Sequence, residues 1–152
     1  MQHPACLACQ SRRQFVTQVA GLTAVAAMGQ ILSGCAAEPG EVPVPDAGQE
    51  VLDLTLAPHA PLQNVGGAIK HRWKNGAPVI VRRKATDTYE AYSASCTHEG
   101  CEVPLPSGNS IECPCHGATY NADGVRLSGP ARSNLKPGTV SLAGTDLTIT
   151  FT

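Results

Sequence analysis

From residue 51 onward, apolar and polar side chains alternate in short runs broken by turn residues, the period-two signature of strands with one buried face. The runs predict strands over Val51–Ala57, Ala77–Lys84, Thr88–Ser95, Asn109–Cys113, Val125–Ser128, Thr139–Ala143 and Asp146–Phe151. Asn75-Gly76, Asp123-Gly124 and Ala143-Gly144 fall between runs as hairpin-type pairs, because glycine accepts the positive φ of a tight turn. Fifteen glycines and twelve prolines in 152 residues agree with many short strands and oppose a helical bundle. At 42% hydrophobic and 4% aromatic content the chain can fill one modest core. The expectation is an all-β domain of stacked antiparallel sheets spanning residues 51–152.

The pattern differs before residue 51. Ser11-Arg12-Arg13-Gln14-Phe15-Val16 resembles the twin-arginine export motif, carried by Arg12 and Arg13, and an uncharged stretch from Gln14 to Ala37 follows it. That stretch contains Leu32-Ser33-Gly34-Cys35, which resembles a bacterial lipobox, with the lipid on Cys35 and cleavage just before it. An uncleaved membrane helix is the other reading, although Gln18, Gln30, Gly21 and Gly29 make the stretch only moderately apolar. Residues 1–34 are thus expected to be a signal peptide. Ala36 to Glu50 lacks apolar periodicity and carries proline at 39, 43 and 45, so residues 35–50 are expected to form a flexible, extended tether.

Charge narrows the partners. Eleven basic and twelve acidic residues nearly cancel, and no basic run exceeds Arg82-Arg83-Lys84, so the footprint of a nucleic-acid binder is missing.

Seven cysteines is an odd number for an exported protein. Cys6 and Cys9 belong to the expected leader and Cys35 to the lipid site, which leaves Cys96, Cys101, Cys113 and Cys115 in two compact motifs. The first is Cys96-Thr97-His98-Glu99-Gly100-Cys101 and the second Cys113-Pro114-Cys115-His116-Gly117, with fourteen residues between His98 and Cys113. A zinc site of two cysteines and two histidines uses the same atoms at similar spacing. It leaves unexplained both the second cysteine beside each ligand pair and an export route that carries proteins already folded around a cofactor. His59 and His71, in Pro- and Gly-rich segments without nearby cysteines, are expected to be ordinary surface or loop histidines.

The motif pair closely resembles the signature of the Rieske iron-sulfur proteins, and the order of strands resembles that fold over the whole domain. The resemblance implies one [2Fe-2S] cluster at a tip formed by two loops, with Cys96 and Cys113 on one iron and His98 and His116 on the other. It also implies a Cys101–Cys115 disulfide that ties the loops together and shields the site. Two imidazoles in place of two thiolates leave their iron electron-poor, raising the potential from about −400 mV for all-cysteine ferredoxins to roughly −150 to +300 mV. Gly129-Pro130-Ala131 matches the proline-bearing loop beside the cluster, although a plain turn explains Pro130 equally well.

Two positions depart from high-potential members. After Gly117 the chain reads Ala118-Thr119-Tyr120, so Tyr120 can donate to a cysteine sulfur but Ala118 replaces a serine donor. Glu99 stands where quinol-oxidising members commonly carry leucine, and a carboxylate opposes docking in an apolar pocket. The expected function is one-electron transfer on the extracytoplasmic, periplasmic side of a bacterial membrane. The implied partner is a cytochrome, a copper protein or an oxidoreductase subunit. Alternatives are the Rieske subunit of a cytochrome bc-type quinol oxidase, which would use quinol, and the small subunit of a periplasmic oxidase of the arsenite-oxidising type. The oxygenases are disfavoured, since a chain this short has no room for a mononuclear iron site.

Overall fold

The computed structural model describes residues 40–152. Arg12, Arg13, Cys6, Cys9 and Cys35 lie outside the described residues, and so do the leader and lipobox readings that rest on them. Among the described residues nine strands form: β1 (Gly48–Asp53), β2 (Ala68–Arg72), β3 (Pro78–Ala85), β4 (Thr88–Ser93), β5 (Ser110–Glu112), β6 (Thr119–Asn121), β7 (Arg126–Ser128), β8 (Pro137–Ala143) and β9 (Asp146–Phe151), with one 3-10 helix at Ala57–Gln63. They make a six-stranded antiparallel sheet in the order β1-β9-β8-β4-β3-β2 and a three-stranded sheet in the order β5-β6-β7.

Alternation explains how two cores form. Val79 and Val81 of β3 point into one, with Leu52, Trp73, Leu147, Ile149 and Phe151, whereas Ile80 between them points into the other. Leu52 on β1 and Ile69 on β2 share the first core although their strands are the two edges of the sheet, so the large sheet curls around it. The second core joins Ile80, Tyr92 and Leu135 to Ile111 and Tyr120 of the small sheet, and it includes the buried cysteines 96, 101 and 113. The Tyr92 hydroxyl, buried between the sheets, donates to the Ala122 carbonyl at 2.7 Å. Burial pushes its pKa upward, so it stays a donor. At the rim, Arg82 and Lys84 of β3 meet Asp123, in the β6–β7 turn, at 2.7 and 3.1 Å.

The start of the domain corrects the sequence reading in three ways. The strand expected over Val51–Ala57 begins at Gly48 and ends at Asp53. There the Asp53 carboxylate accepts from the Thr55 main-chain N–H and hydroxyl at 2.8 and 2.7 Å, a local turn that stops the strand, and Pro58 and Pro61 lie in the 3-10 helix beyond it. Residues 42–50, assigned above to a flexible tether, pack on the domain: β1 pairs along its length with β9, Pro45 is buried, and the Trp73 indole N–H donates to Asp46 Oδ1 at 2.8 Å. His71 lies on β2 and not in a loop, with its Nε2 2.7 Å from Glu50 Oε2. No helix among the described residues is long and apolar enough to cross a membrane.

Candidate metal centre

Two six-residue loops, 96–101 and 113–118, close in the same way. In the first, the Gly100 N–H donates to the Cys96 carbonyl and the Cys96 N–H to the Cys101 carbonyl, each at 2.8 Å. In the second, the Gly117 N–H donates to the Cys113 carbonyl at 3.0 Å and the Cys113 N–H to the Ala118 carbonyl at 2.8 Å. The fifth residue of each loop must adopt a positive φ, +71° at Gly100 and +66° at Gly117, which glycine accepts without strain. Each loop therefore turns back over its own first cysteine and offers the residues between for binding.

Cys101 and Cys115 form a disulfide across the two loops, with Cα atoms 6.5 Å apart. This leaves Cys96 and Cys113 as the free thiols among the described residues, both buried. Burial pushes the Cys113 thiol up; the Cys115 N–H opposes this and the neighbouring Cys96 side chain adds to it. A bound cation is what such a pair needs to become thiolates.

Outside them lie the histidines. His98 Nδ1 and His116 Nδ1 are 3.2 Å apart, with rings nearly perpendicular at 89°. Two imidazole bonds of about 2.0–2.1 Å to one tetrahedral metal place their nitrogens roughly 3.3 Å apart, so this pair suits a shared ion. The side chains are 22% and 47% exposed, in contrast to the buried sulfurs. Glu99 lies close over both rings, with carboxylate oxygens 4.0 Å from His98 Nε2 and 3.6 Å from His116 Nδ1.

Donor atoms within 4.8 Å of one another form two groups: the imidazoles with Glu99, and Cys113 with the disulfide sulfurs. A single tetrahedral zinc ion would draw two sulfurs and two nitrogens within about 4 Å of one another. Buried thiols on one side and solvent-facing imidazoles on the other fit a two-metal cluster.

The surroundings brace this pair of loops. The Tyr120 hydroxyl, on β6, is 3.3 Å from Cys96 Sγ and accepts the Thr97 N–H at 3.1 Å. Burial raises the Tyr120 pKa, and the Cys96 side chain raises it further, so the phenol stays protonated. Thr97 Oγ1 donates to the Ser133 carbonyl at 2.7 Å, which ties the first loop to the segment after Pro130. Gly129 lies directly on the second loop: a Cβ there would meet Ala118 Cα at 2.7 Å and the Gly117 oxygen at 2.8 Å. Arg126 donates to the Ala131 and Gly129 carbonyls at 2.7 and 3.0 Å. Pro130 thus sits, itself exposed, in a third segment clamped to both loops. Sequence reasoning missed Thr97, Ser133 and Arg126. Thr97, between two expected ligands, was the one signal available.

A curled β domain carrying a small sheet, with buried thiols and paired imidazoles at its tip, defines a metal-binding redox protein. The Rieske [2Fe-2S] domain model matches residues 57–144, more than half of the chain. The chain belongs to the Rieske [2Fe-2S] family and binds a single [2Fe-2S] cluster. It is 36% identical over 86 residues to the cytochrome b6-f complex iron-sulfur subunit 2 of Synechocystis sp., covering 55% of this chain and 48% of that protein. It is 38% identical over 86 residues to the carotenoid phi-ring synthase of Chlorobaculum tepidum, covering 56% of this chain and 13% of that protein. It therefore spans less than half the length of these curated relatives. Among solved structures it resembles the plasma membrane Rieske protein PetC3 from Synechocystis, with 30% identity and a TM-score of 0.51 over 59% of this chain and 91% of that one.

Proposed function

We propose that the protein is a one-electron carrier on the extracytoplasmic side of a bacterial membrane, with Cys96 and Cys113 on the inner iron and His98 and His116 on the outer iron. The facing Nδ1 atoms of His98 and His116, 3.2 Å apart at the exposed tip, carry this reading. The cluster supplies a centre that takes up and returns a single electron, and the chain supplies everything that tunes it. Buried cysteines and the disulfide keep water from the sulfur side, while the partly exposed imidazoles give a partner a short path for the electron. Tyr120 donates toward Cys96 Sγ, a bond that strengthens as negative charge grows there. Glu99 adds a carboxylate beside the imidazoles and favours the oxidised, more positive state.

Export on the twin-arginine signal at Arg12-Arg13 and a lipid on Cys35 belong to the same proposal. The likeness to cytochrome b6-f iron-sulfur subunits favours a second reading, a Rieske subunit of a quinol-oxidising complex, and Glu99 argues against it.

Holoprotein with two irons, no stoichiometric zinc and a rhombic EPR signal on reduction is the expected result, and one zinc without iron refutes it. Cys96→Ser and His116→Ala should each abolish the cluster. Growth with a labelled fatty acid should mark the protein, and Cys35→Ala should remove the label. A label that persists in Cys35→Ala overturns that lipid site.

A further inference from the structure

The N-terminal end of the described chain is fastened to the first of the two loops, 96–101. The Val42 N–H donates to the Gly100 carbonyl at 2.9 Å, and the Val42 carbonyl accepts from Ser95 Oγ at 3.3 Å. Glu41 packs its side chain over Gly100, whose missing Cβ makes room for it. From there the chain is held at four successive residues, 44 to 47. Asn75 Nδ2 donates to the Val44 carbonyl at 2.9 Å, Lys136 Nζ to the carbonyl of buried Pro45 at 3.0 Å, and the Trp73 indole to Asp46 at 2.8 Å. Lys74 Nζ donates to the Ala47 carbonyl at 3.2 Å, and β1 then begins at Gly48. Trp73 is buried and stacks edge-on to Phe151, so the strap is bonded to the first core and not merely to surface groups. Two buried anchors and a row of main-chain bonds are the marks of fixed structure.

We infer that residues 41–50 are a rigid strap that brings the chain out of the domain at the cluster-bearing tip, so that the tip faces the membrane and its electron partner is a redox protein at the membrane surface. The orientation rests on the proposed lipid at Cys35. Seven chain steps separate Cys35 from Val42, at most roughly 25 Å whatever their conformation. Were the strap free, the leash would run thirteen steps to Gly48, roughly 45 Å, leaving the domain free to turn.

The test uses the full lipidated holoprotein in vesicles of bacterial phospholipid carrying a gadolinium-chelating headgroup. Flotation reports anchoring, relaxation enhancement of the reduced-cluster EPR signal reports closeness of the tip to the membrane, and amide exchange at Val42 reports the strap. Floating protein, a Val42 amide slowed at least a hundredfold, and several-fold relaxation enhancement are expected. A twenty-residue Gly/Ser insertion between Gly40 and Glu41 should abolish most of the enhancement while leaving Val42 protected. The double variant Val42→Pro and Asp46→Ala removes the donor to Gly100 and the acceptor for Trp73, leaves no amide at position 42 to exchange, and should lose the enhancement. The insertion leaves the folded domain untouched, so it decides the matter even if the double variant unfolds. Equal enhancement with and without the insertion in floating protein overturns the orientation, and an unprotected Val42 overturns the strap. Failure to float overturns the lipid anchor and the orientation with it, while Val42 exchange still judges the strap.

Discussion

The Tyr120 hydroxyl lies 3.3 Å from Cys96 Sγ, and its proton has one other acceptor within reach, Thr97 Oγ1 at 3.1 Å. Thr97 already gives its own proton to the Ser133 carbonyl, so its oxygen is free to accept. A metal-bound thiolate is the stronger acceptor, and charge-assisted bonds are worth more than neutral ones. Tyr120→Phe should therefore lower the reduction potential by about 40–90 mV, the equivalent of roughly 1–2 kcal/mol for one electron. Voltammetry of the two proteins decides it; an unchanged potential would assign the proton to Thr97.

Ala118 is fully buried, and its carbonyl accepts the Cys113 N–H. Ala118→Ser adds a hydroxyl donor beside the second loop and should raise the potential by a similar amount. The shift should add to that of Tyr120→Phe, because the two hydroxyls address different sulfurs. A double variant whose potential departs strongly from the sum would show that they share one.

The disulfide between Cys101 and Cys115 spans a sequence separation of 14 and restrains the unfolded chain as well as the folded loops. Cys115→Ser should reduce stability by about 3 kcal/mol. The cluster should still assemble, since Cys96, Cys113 and both histidines remain, and its visible absorption should bleach faster in air. Complete loss of iron would mean that Cys115 is itself a ligand.

Gly129 and Gly108 both hold a positive φ, +82° and +60°, but only Gly129 is pressed against backbone. Gly108→Ala should cost about 1 kcal/mol, the strain of a left-handed conformation alone. Gly129→Ala must also push Ala118 and Gly117 aside, so it should cost at least twice as much and loosen the cluster. Thermal unfolding and iron content measured together separate the two; equal costs would refute the close contact.

Acid should unfold the protein through particular carboxylates. The Lys84 ammonium holds the Asp123 carboxyl below its usual range. Burial pushes Glu102 up, but the bonds from Lys70 and Arg72 outweigh it and leave that carboxyl lowered as well. Depressed carboxyl values give stability that is complete above the unfolded values and lost as pH falls through the folded ones. Glu90 has the opposite sign, raised chiefly by burial, and it offsets part of that loss. Melting temperature should stay level down to about pH 5 and fall below about pH 4. Asp123→Asn should be less stable at neutral pH and show a shallower acid decline; an unchanged slope would discount the Asp123 pair.

What the sequence revealed depended on whether local pattern or distant partners decided the structure. Asp146–Phe151 was legible to the residue, because Leu147, Ile149 and Phe151 alternate with polar neighbours and bury one face. The loop cysteines and histidines were legible as a motif. Ala68–Arg72 was missed, since Lys70 and Arg72 look like loop residues until Glu102 is found beside them. The strap was misread for the same reason: its composition is that of a linker, and the groups that fix it, Trp73, Lys74, Asn75 and Lys136, lie 27 to 91 residues away.

Loops 96–101 and 113–118 are each closed by two main-chain bonds of their own, and none of those bonds involves a sulfur atom. The bonds that close each loop therefore do not depend on the link between Cys101 and Cys115. Under the proposed export, the chain would accept iron and sulfide in a reducing cytoplasm, where that bond does not survive, and seal it only on arrival in an oxidising compartment. Oxidation then works as a latch closed after loading, making cofactor retention a matter of order in time as well as of strength.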